Sequence, residues 1–504
     1  MNRETGLSRL ADEAFDVVVI GGGATGLGAA VDAASRGYRT ALIEAGDFAS
    51  ATSSRSTKLV HGGVRYLQQG NVGLVREALR ERSTLRRNAP HLVRDLAFVV
   101  PAYSRVDLAF YALGLSAYDL LAGHTEFPRS RVVSPSDARA LIPNLAPNGL
   151  CGGVVYHDGQ FDDARLALAL ARTAVDQGAA VANYVRATGF AYDAGGRVVG
   201  VGAIDAESGA GFTIRARAVI NATGIFADVV RALDDPAAPP LLAHSRGSHI
   251  VASSTALGSA AALLVPKTSD GRVLFALPWH EHTIVGTTDV PVEGPARDPE
   301  PSEAEIAYLL ATVNRYLATP LARSDILAVF AGLRPLIRRG AMSTARLSRE
   351  HLVEVSRSGI VTITGGKWTT YRKMAQDAVD VAARRAGLAA SPSRTASLPL
   401  HGATLAAVHD ESLSEYGTDA DGVQRLIDED ASLAARLDAR LPYTGAQVVY
   451  AVRNEMARTV EDVLARRMRA LFLDAGAARA AAPRVAALME AELGRPVTLL
   501  GPPR

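Results

Sequence analysis

The apolar run FDVVVI, residues 15–20, has no polar interruption after its aspartate, as in a strand covered on both faces. Gly21, Gly22 and Gly23 follow it. In the next stretch, ATGLGAAVDAASRG, small and apolar residues recur at helical spacing, and Gly37 supplies the stop. A second apolar run, RTALIE, ends on Glu44. The pattern predicts strand, glycine turn, helix and strand, which is one βαβ unit.

Farther along, FDDARLALALARTAVDQG predicts a helix that starts at Asp162 or Asp163 and stops at Gly178. Two strand-like runs flank Gly195 and Gly196 as a hairpin, and ARAVINATG reads as another buried strand ending in a glycine turn. Between residues 244 and 292 the runs GSHIVAS, RVLFALPW and HTIVGTTD suggest an antiparallel sheet outside the nucleotide fold. Ser302 and Glu305 form a capping-box pattern that opens a helix. GIVTITGGKWTTYRKMAQDAVDVAARRAG then repeats the opening order of strand, Gly-Gly and helix, with the helix opening near Thr369. Residues 388–402 read as a linker, and helical patterns follow in GAQVVYAVRNEMA, TVEDVLARRMRALFLDAG and AAPRVAALMEAELG. The chain divides accordingly. Residues 14–75, 156–232 and 356–388 form a nucleotide-binding domain in three pieces. Residues 76–155 and 233–355 form a cap and substrate domain, and 398–504 form a C-terminal helical domain.

Composition narrows the function classes. The 504 residues are 48% hydrophobic and 21% charged, with a net charge of +2, so no bulk field attracts nucleic acid. Cys151 is the single cysteine, which excludes an internal disulfide and a thiolate metal cluster. No H-E-x-x-H pattern suggests a metal. The N-terminus lacks the apolar core of a signal peptide, and no run reaches the ~20 apolar residues of a membrane-spanning helix. DLAFYALGLSAYDLLAG, Asp107–Gly123, comes nearest and reads first as a buried helix. Its alternative is a segment lying on a membrane surface, with the arginines of residues 76–94 beside it.

Gly21, Gly23 and Gly26 have G-x-G-x-x-G spacing between the strand and the helix, and Glu44 ends the second strand 21 residues after Gly23. Glycines there admit a pyrophosphate to the helix N-terminus, and the carboxylate suits ribose hydroxyls. These residues predict a bound dinucleotide. Strand-turn elements of the same kind recur at Ala222–Gly224 and at ITGGKWTTYRK. Pieces of one nucleotide fold with a second domain inserted between them favour FAD over NAD.

SSRSTKLVHGGVRYL, RNAPHLV, RGSHIV, IVGTTD, GLRPL, GGKWTTYRKMA and RNEMARTVEDVLARRMRALFLDA together resemble the FAD-dependent glycerol-3-phosphate dehydrogenase family, over residues 14 to 480. The resemblance implies an FAD-binding Rossmann-like α/β fold of the glutathione-reductase/D-amino-acid-oxidase type, an antiparallel-sheet substrate domain and a C-terminal helical domain. It implies oxidation of sn-glycerol 3-phosphate to dihydroxyacetone phosphate, with FAD taking the hydride and a membrane quinone taking the electrons. It also implies a cytoplasmic protein held peripherally on the inner face of the cytoplasmic membrane. A homodimer stays open. The close alternative is an oxidase that uses oxygen, and the distant ones are an amine or amino-acid oxidase and a non-catalytic docked flavoprotein.

That chemistry asks for a phosphate clamp, a base and a cofactor cradle. Arg65, Tyr66, Arg334 and Lys367 are the phosphate candidates. His249 is preferred as the base for the carbinol hydroxyl, with His61 second, and Arg334 also suits a developing alkoxide. The cradle takes Ala45, Ser53, Ser54, Lys58, Leu59, His61, Gly62, Gly63, Ala187, Ala222, Thr223, Gly224, Gly366, Lys367 and Thr369, together with Gly21, Gly23, Gly26 and Glu44. Thr287 and Asp289 either line the substrate side or form a capped turn. Asp162 and Asp163 read as an N-cap and a first-turn acid. Five C-terminal arginines, Arg453, Arg458, Arg466, Arg467 and Arg469, read as a solvated face, with docking of a partner or lipid as the alternative. After NATG the family often has Pro-Trp, where this chain has Ile225-Phe226-Ala227.

Overall fold

The computed structural model describes the chain except residues 65–70, 124–126, 269–270, 339–349, 407, 409 and 502–504. Two sheets organise it. In the first, the strands Val361–Gly365, Gly211–Asn221, Ala14–Ile20, Thr40–Ile43 and Ala180–Ala182 lie parallel in that spatial order. His351–Val355 closes one edge antiparallel. The hairpin Val185–Tyr192 and Val198–Asp205 is present and joins the sheet through Gly211–Asn221. Val17, Val18 and Val19 are fully buried, which is why this strand reads as continuous rather than alternating. Helices Ala24–Ser35, Asp163–Asp176 and Tyr371–Arg385 pack together over one face.

The second sheet draws on Val93–Ala102, Gly152–Phe161, Leu242–Ser253, Ala262–Val265, Leu274–Trp279, His282–Gly286 and Ile326–Ile337. Its pairs are antiparallel except Ala262–Val265 with Val93–Ala102. The Ser302–Glu305 capping box is formed, and the Glu305 carboxylate also accepts from Ser248 in this sheet and from Thr288 in the turn after His282–Gly286.

The C-terminal helices Gly445–Glu455 and Ala475–Leu493 share one apolar core with the second sheet, through residues such as Phe330, Trp279, Val463 and Phe472. Two expectations are corrected here. TVEDVLARRMRALFLDAG is not one helix. Asp462–Arg467 forms a wider π-turn, and Arg469 (φ 63°) breaks the chain before the short helix Ala470–Leu473. Of the five arginines read as a solvated face, Arg453 is exposed, but Arg466, Arg467 and Arg469 are buried against Asp47, Asp162 and Asp163. Interior carboxylates draw these side chains inward, and the backbone bends to follow.

The helix Arg105–Ala122 corrects a third. Only Leu115 and Tyr118 are buried, while Val106, Phe110, Leu113 and Leu120 are 78%, 56%, 74% and 82% exposed. Spacings of 4, 3 and 7 place those four on one outward stripe. No helix among the described residues is long and apolar enough to cross a membrane.

Candidate active site

The parallel strands of the first sheet all end on one side, where ligands of open α/β sheets bind. Gly21, Glu44, Ala222 and Gly365 sit at those ends. The first turn needs its glycines. Gly21 has φ +115°, and a Cβ on Gly26 would stand 1.9 Å from the Gly21 carbonyl oxygen. Glu44 accepts from the backbone N–H of Gly22 (2.6 Å) and Gly46 (2.8 Å), and Ser53 Oγ accepts from Ala24 N–H (3.0 Å) at the first turn of the helix. A cavity of about 370 Å³ opens among Gly21, Gly23, Glu44, Ala187, Thr223 and Arg297. Ala45, Ser53, Ala222 and Gly224 also face it.

A second cavity of about 210 Å³ shares the wall residue Thr52 with it and lies between the two sheets. His249, Arg334, His61, Lys367, Thr57 and Thr369 are among its walls. His249 and Arg334 come from the paired antiparallel strands Leu242–Ser253 and Ile326–Ile337, whose register sets them beside Phe330 and Ser245. The His249 ring stacks on Phe330, with centroids 4.6 Å apart, and a Cβ on Gly286 would meet that ring at 2.1 Å. Glycine at 286 is therefore what lets the imidazole lie between the strands. His249 Nε2 shares a 3.0 Å hydrogen bond with Thr57 Oγ1, and Nδ1 is buried with no partner among the described residues.

Burial, reinforced by the charges of Lys58 and Arg334, holds His249 well below the ordinary histidine range. The folded ring stays neutral where an unfolded chain takes up a proton on it near pH ~6.5. Stability from this group is complete above that pH and is lost as the pH falls through and below it. His249→Gln should therefore flatten the fall in unfolding free energy between about pH 7.5 and 5.5, by up to about 1.4 kcal/mol per pH unit. Urea unfolding at several pH values measures it, and an unchanged slope would mean that the native ring is charged.

Arg334 donates to Thr287 Oγ1 and the Thr288 carbonyl, each at 3.1 Å, and pairs with Asp289 at 3.3 Å. Thr287 thus meets the site through Arg334, and Asp289 is a counter-ion as well as a turn residue. Gly366 (φ 71°) turns the chain so that Lys367 faces the cavity, and the helix Tyr371–Arg385 opens behind it after one 3₁₀ turn, Trp368–Thr370. Thr369 Oγ1 bridges the His61 N–H and carbonyl. The His61–Gly63 loop is held from behind. Gly62 N–H donates to the Tyr118 hydroxyl, which donates to Asp158, and Asp158 pairs with Arg82 at 2.5 Å.

Several candidates sit elsewhere than the sequence suggests. Lys58 has its backbone beside the cavity, but its ammonium is fully buried away from it, 2.7 Å from Asp163 and over the Phe330, Trp279 and Phe472 rings. Burial and Arg469 pull Lys58 down to about 7 despite Asp163. Asp162 is the helix N-cap, whereas Asp163 accepts from Lys58, Ser56 and Arg469. Ser54 offers its carbonyl to Lys58 and Arg469 rather than its hydroxyl to a ligand. Leu59 is a cavity wall, and Ala187 meets the first cavity. Arg65 and Tyr66 lie outside the described residues. Thr57, Phe330 and Arg297 were not anticipated. Thr57 stands inside the motif SSRSTKLVHGG, and the functional density of that motif was the available signal.

The FAD-dependent oxidoreductase family model matches residues 16–372, and the model of the C-terminal domain of alpha-glycerophosphate oxidase matches residues 393–497. The mitochondrial glycerol-3-phosphate dehydrogenase of Homo sapiens is 42% identical, over 95% of this chain and 70% of that protein. The chain belongs to the FAD-dependent glycerol-3-phosphate dehydrogenase family. Another relative, glycerol-3-phosphate dehydrogenase 2 of Mycobacterium bovis, is 40% identical over 93% of this chain and 83% of its own. The crystal structure of a glycerol-3-phosphate dehydrogenase from Bacillus halodurans complexed with FAD superposes with a TM-score of 0.80 at 30% identity, covering 97% and 93% of the two chains.

The cofactor of this family member is FAD. Its own residues fit that group. The glycine turn admits no side chain where a pyrophosphate would approach, Glu44 lines the same cavity, and Thr52 is a wall of both cavities.

Proposed function

We propose that this flavoprotein oxidises sn-glycerol 3-phosphate to dihydroxyacetone phosphate and passes the electrons to a membrane quinone. The observation that supports it best is the second cavity, where the buried imidazole of His249 and the guanidinium of Arg334 face one space. When bound, FAD supplies a two-electron acceptor that takes a hydride from the carbinol carbon. His249 accepts the hydroxyl proton at Nε2, the nitrogen that holds Thr57 in the resting site. Arg334 and Lys367 receive the phosphate dianion, Arg334 kept in place by Asp289 and Thr287. Arg65 and Tyr66 are proposed to complete that clamp. Loss of one proton and one hydride leaves the ketone.

The acceptor reading is supported by the outward stripe on the helix Arg105–Ala122, since this helix also buttresses the His61–Gly63 loop through Tyr118. An apolar stripe with exposed Arg105, Arg129 and Arg131 near its ends suits an interface containing anionic lipid. The double variant Phe110→Asp/Leu113→Asp is expected to lower binding to anionic phospholipid vesicles tenfold or more while leaving turnover with a water-soluble dye unchanged. Vesicle co-sedimentation measures it, and undiminished binding would remove the helix from the account. The acceptor itself is tested by comparing turnover with a short-chain quinone and with oxygen, at equal glycerol 3-phosphate. The reading requires the quinone to be the faster oxidant by at least tenfold, and an oxygen rate equal to it would make the protein an oxidase.

A further inference from the structure

The three arginines that left the expected solvated face converge on the loop walling the FAD track. Asp47, fully buried, receives Arg466 Nε at 2.5 Å and both terminal nitrogens of Arg467, one of them at 3.0 Å. Arg469 donates to the Ser54 carbonyl at 2.7 Å. Asp47 and Ser54 thus bracket the segment that gives Ala49, Ser50, Ala51, Thr52 and Ser53 to the first cavity. An adjoining wall segment is tied to the same point. Asn183 Nδ2 donates to Asp47 (3.2 Å) and to the Met456 carbonyl (2.8 Å), and the Tyr184 hydroxyl donates to Asp462 (2.8 Å). Val185, Arg186 and Ala187 follow directly along that wall. None of Asp47, Arg466, Arg467 and Arg469 lines either cavity.

The arrangement is a buried ionic unit, with Glu461 as an outer partner of Arg466 at 2.8 Å. Asp47 and Asp462 face Arg466 and Arg467, and the side chains of all four are at most 4% exposed. Burial alone would raise the Asp47 carboxyl, but the Arg467 and Arg466 charges outweigh it and hold it below the usual range. The π-turn Asp462–Arg467 lets two consecutive arginines reach one carboxylate, and Arg467 is itself held by the Glu455 carbonyl at 2.6 Å. Such a unit tolerates the loss of a partner poorly, because the charge left behind has no water to turn to.

We propose that the C-terminal domain is a cofactor clamp, in which Arg466, Arg467 and Arg469 act as positioning residues that fix both wall segments of the FAD track through Asp47, Asn183 and the Ser54 carbonyl. FAD retention then depends on residues more than 400 positions away in sequence, none of which touches the cofactor track. The inference rests on FAD as the cofactor and is independent of the substrate and acceptor readings.

The test uses the holoprotein and two variants. Arg467→Met removes the clamp. Arg172→Met removes a different contact between the nucleotide fold and the C-terminal domain, the Arg172–Asp419 pair at 2.6 Å, away from the track. FAD release after dilution at constant temperature is followed by flavin fluorescence, beside thermal unfolding of the same samples. Arg467→Met is expected to release FAD at least tenfold faster, Arg467→Lys to restore part of the retention, and Arg172→Met to stay within twofold of the parent even where its unfolding temperature drops as far. Asp47→Asn, which keeps the side-chain shape, gives the same comparison if Arg467→Met does not fold. Release within twofold of the parent for the clamp variants, or equally accelerated release in Arg172→Met, would overturn the proposal.

Discussion

His249→Gln is expected to slow anaerobic flavin reduction by glycerol 3-phosphate by about 10²–10⁴-fold, the usual loss when a general base is removed. Glutamine retains a hydrogen-bonding group for Thr57 and fills similar space between Phe330 and Gly286, so the pocket should survive the change. What it cannot do is take a proton. Because His249 is neutral in the fold, the parent needs no prior deprotonation at neutral pH, and the variant has nothing to substitute for it. Stopped-flow absorbance of the flavin reads the rate directly. A variant that reduces its flavin at the parent rate would transfer the base role to His61 or to water.

Arg334→Met carries the second large effect. The guanidinium is fixed by Asp289, Thr287 and the Thr288 carbonyl before substrate arrives, so its donors are already oriented. Losing a charge-assisted donor set of this kind costs about 10²–10³ in kcat/KM. Comparing glycerol 3-phosphate with glycerol separates its two roles. A phosphate clamp predicts that the variant loses mainly the advantage of the phosphorylated substrate, whereas an alkoxide role predicts that both substrates slow together. An unchanged kcat/KM for glycerol 3-phosphate would remove Arg334 from the site.

The legible parts of this protein were those in which local sequence and tertiary place coincide. Gly21, Gly23, Gly26 and Glu44 lie in one short unit, and strand ends at Ala222–Gly224 and Gly365–Gly366 carry the same strand-turn signature, so the dinucleotide-binding fold was legible from spacing. Arg334 was singled out because it stands among apolar residues and glycines, and His249 because a histidine suits a base at neutral pH and RGSHIV resembles the family, and the antiparallel register brings them to one cavity. The buried ionic partners were not legible. Nothing local distinguishes Asp47 from a surface acid, and its partners Arg466 and Arg467 lie about 420 positions later. The same holds for Lys58, whose position in a cofactor motif concealed a structural pairing with Asp163 and Arg469. The helix Arg105–Ala122 shows a different limit. Apolar periodicity reports that a stripe is to be covered, not whether protein or lipid covers it, and this stripe faces outward.

The central claim is that a phosphorylated secondary alcohol delivers two electrons to the bound FAD. Anaerobic titration of the holoprotein with sn-glycerol 3-phosphate, followed by flavin absorbance, tests it most directly. The account predicts bleaching that is complete near one equivalent per FAD, with glycerol at the same concentration bleaching it at least a hundredfold more slowly and an amino acid leaving the spectrum unchanged. A spectrum that stays oxidised in excess glycerol 3-phosphate, or bleaches equally with the unphosphorylated donors, would contradict it.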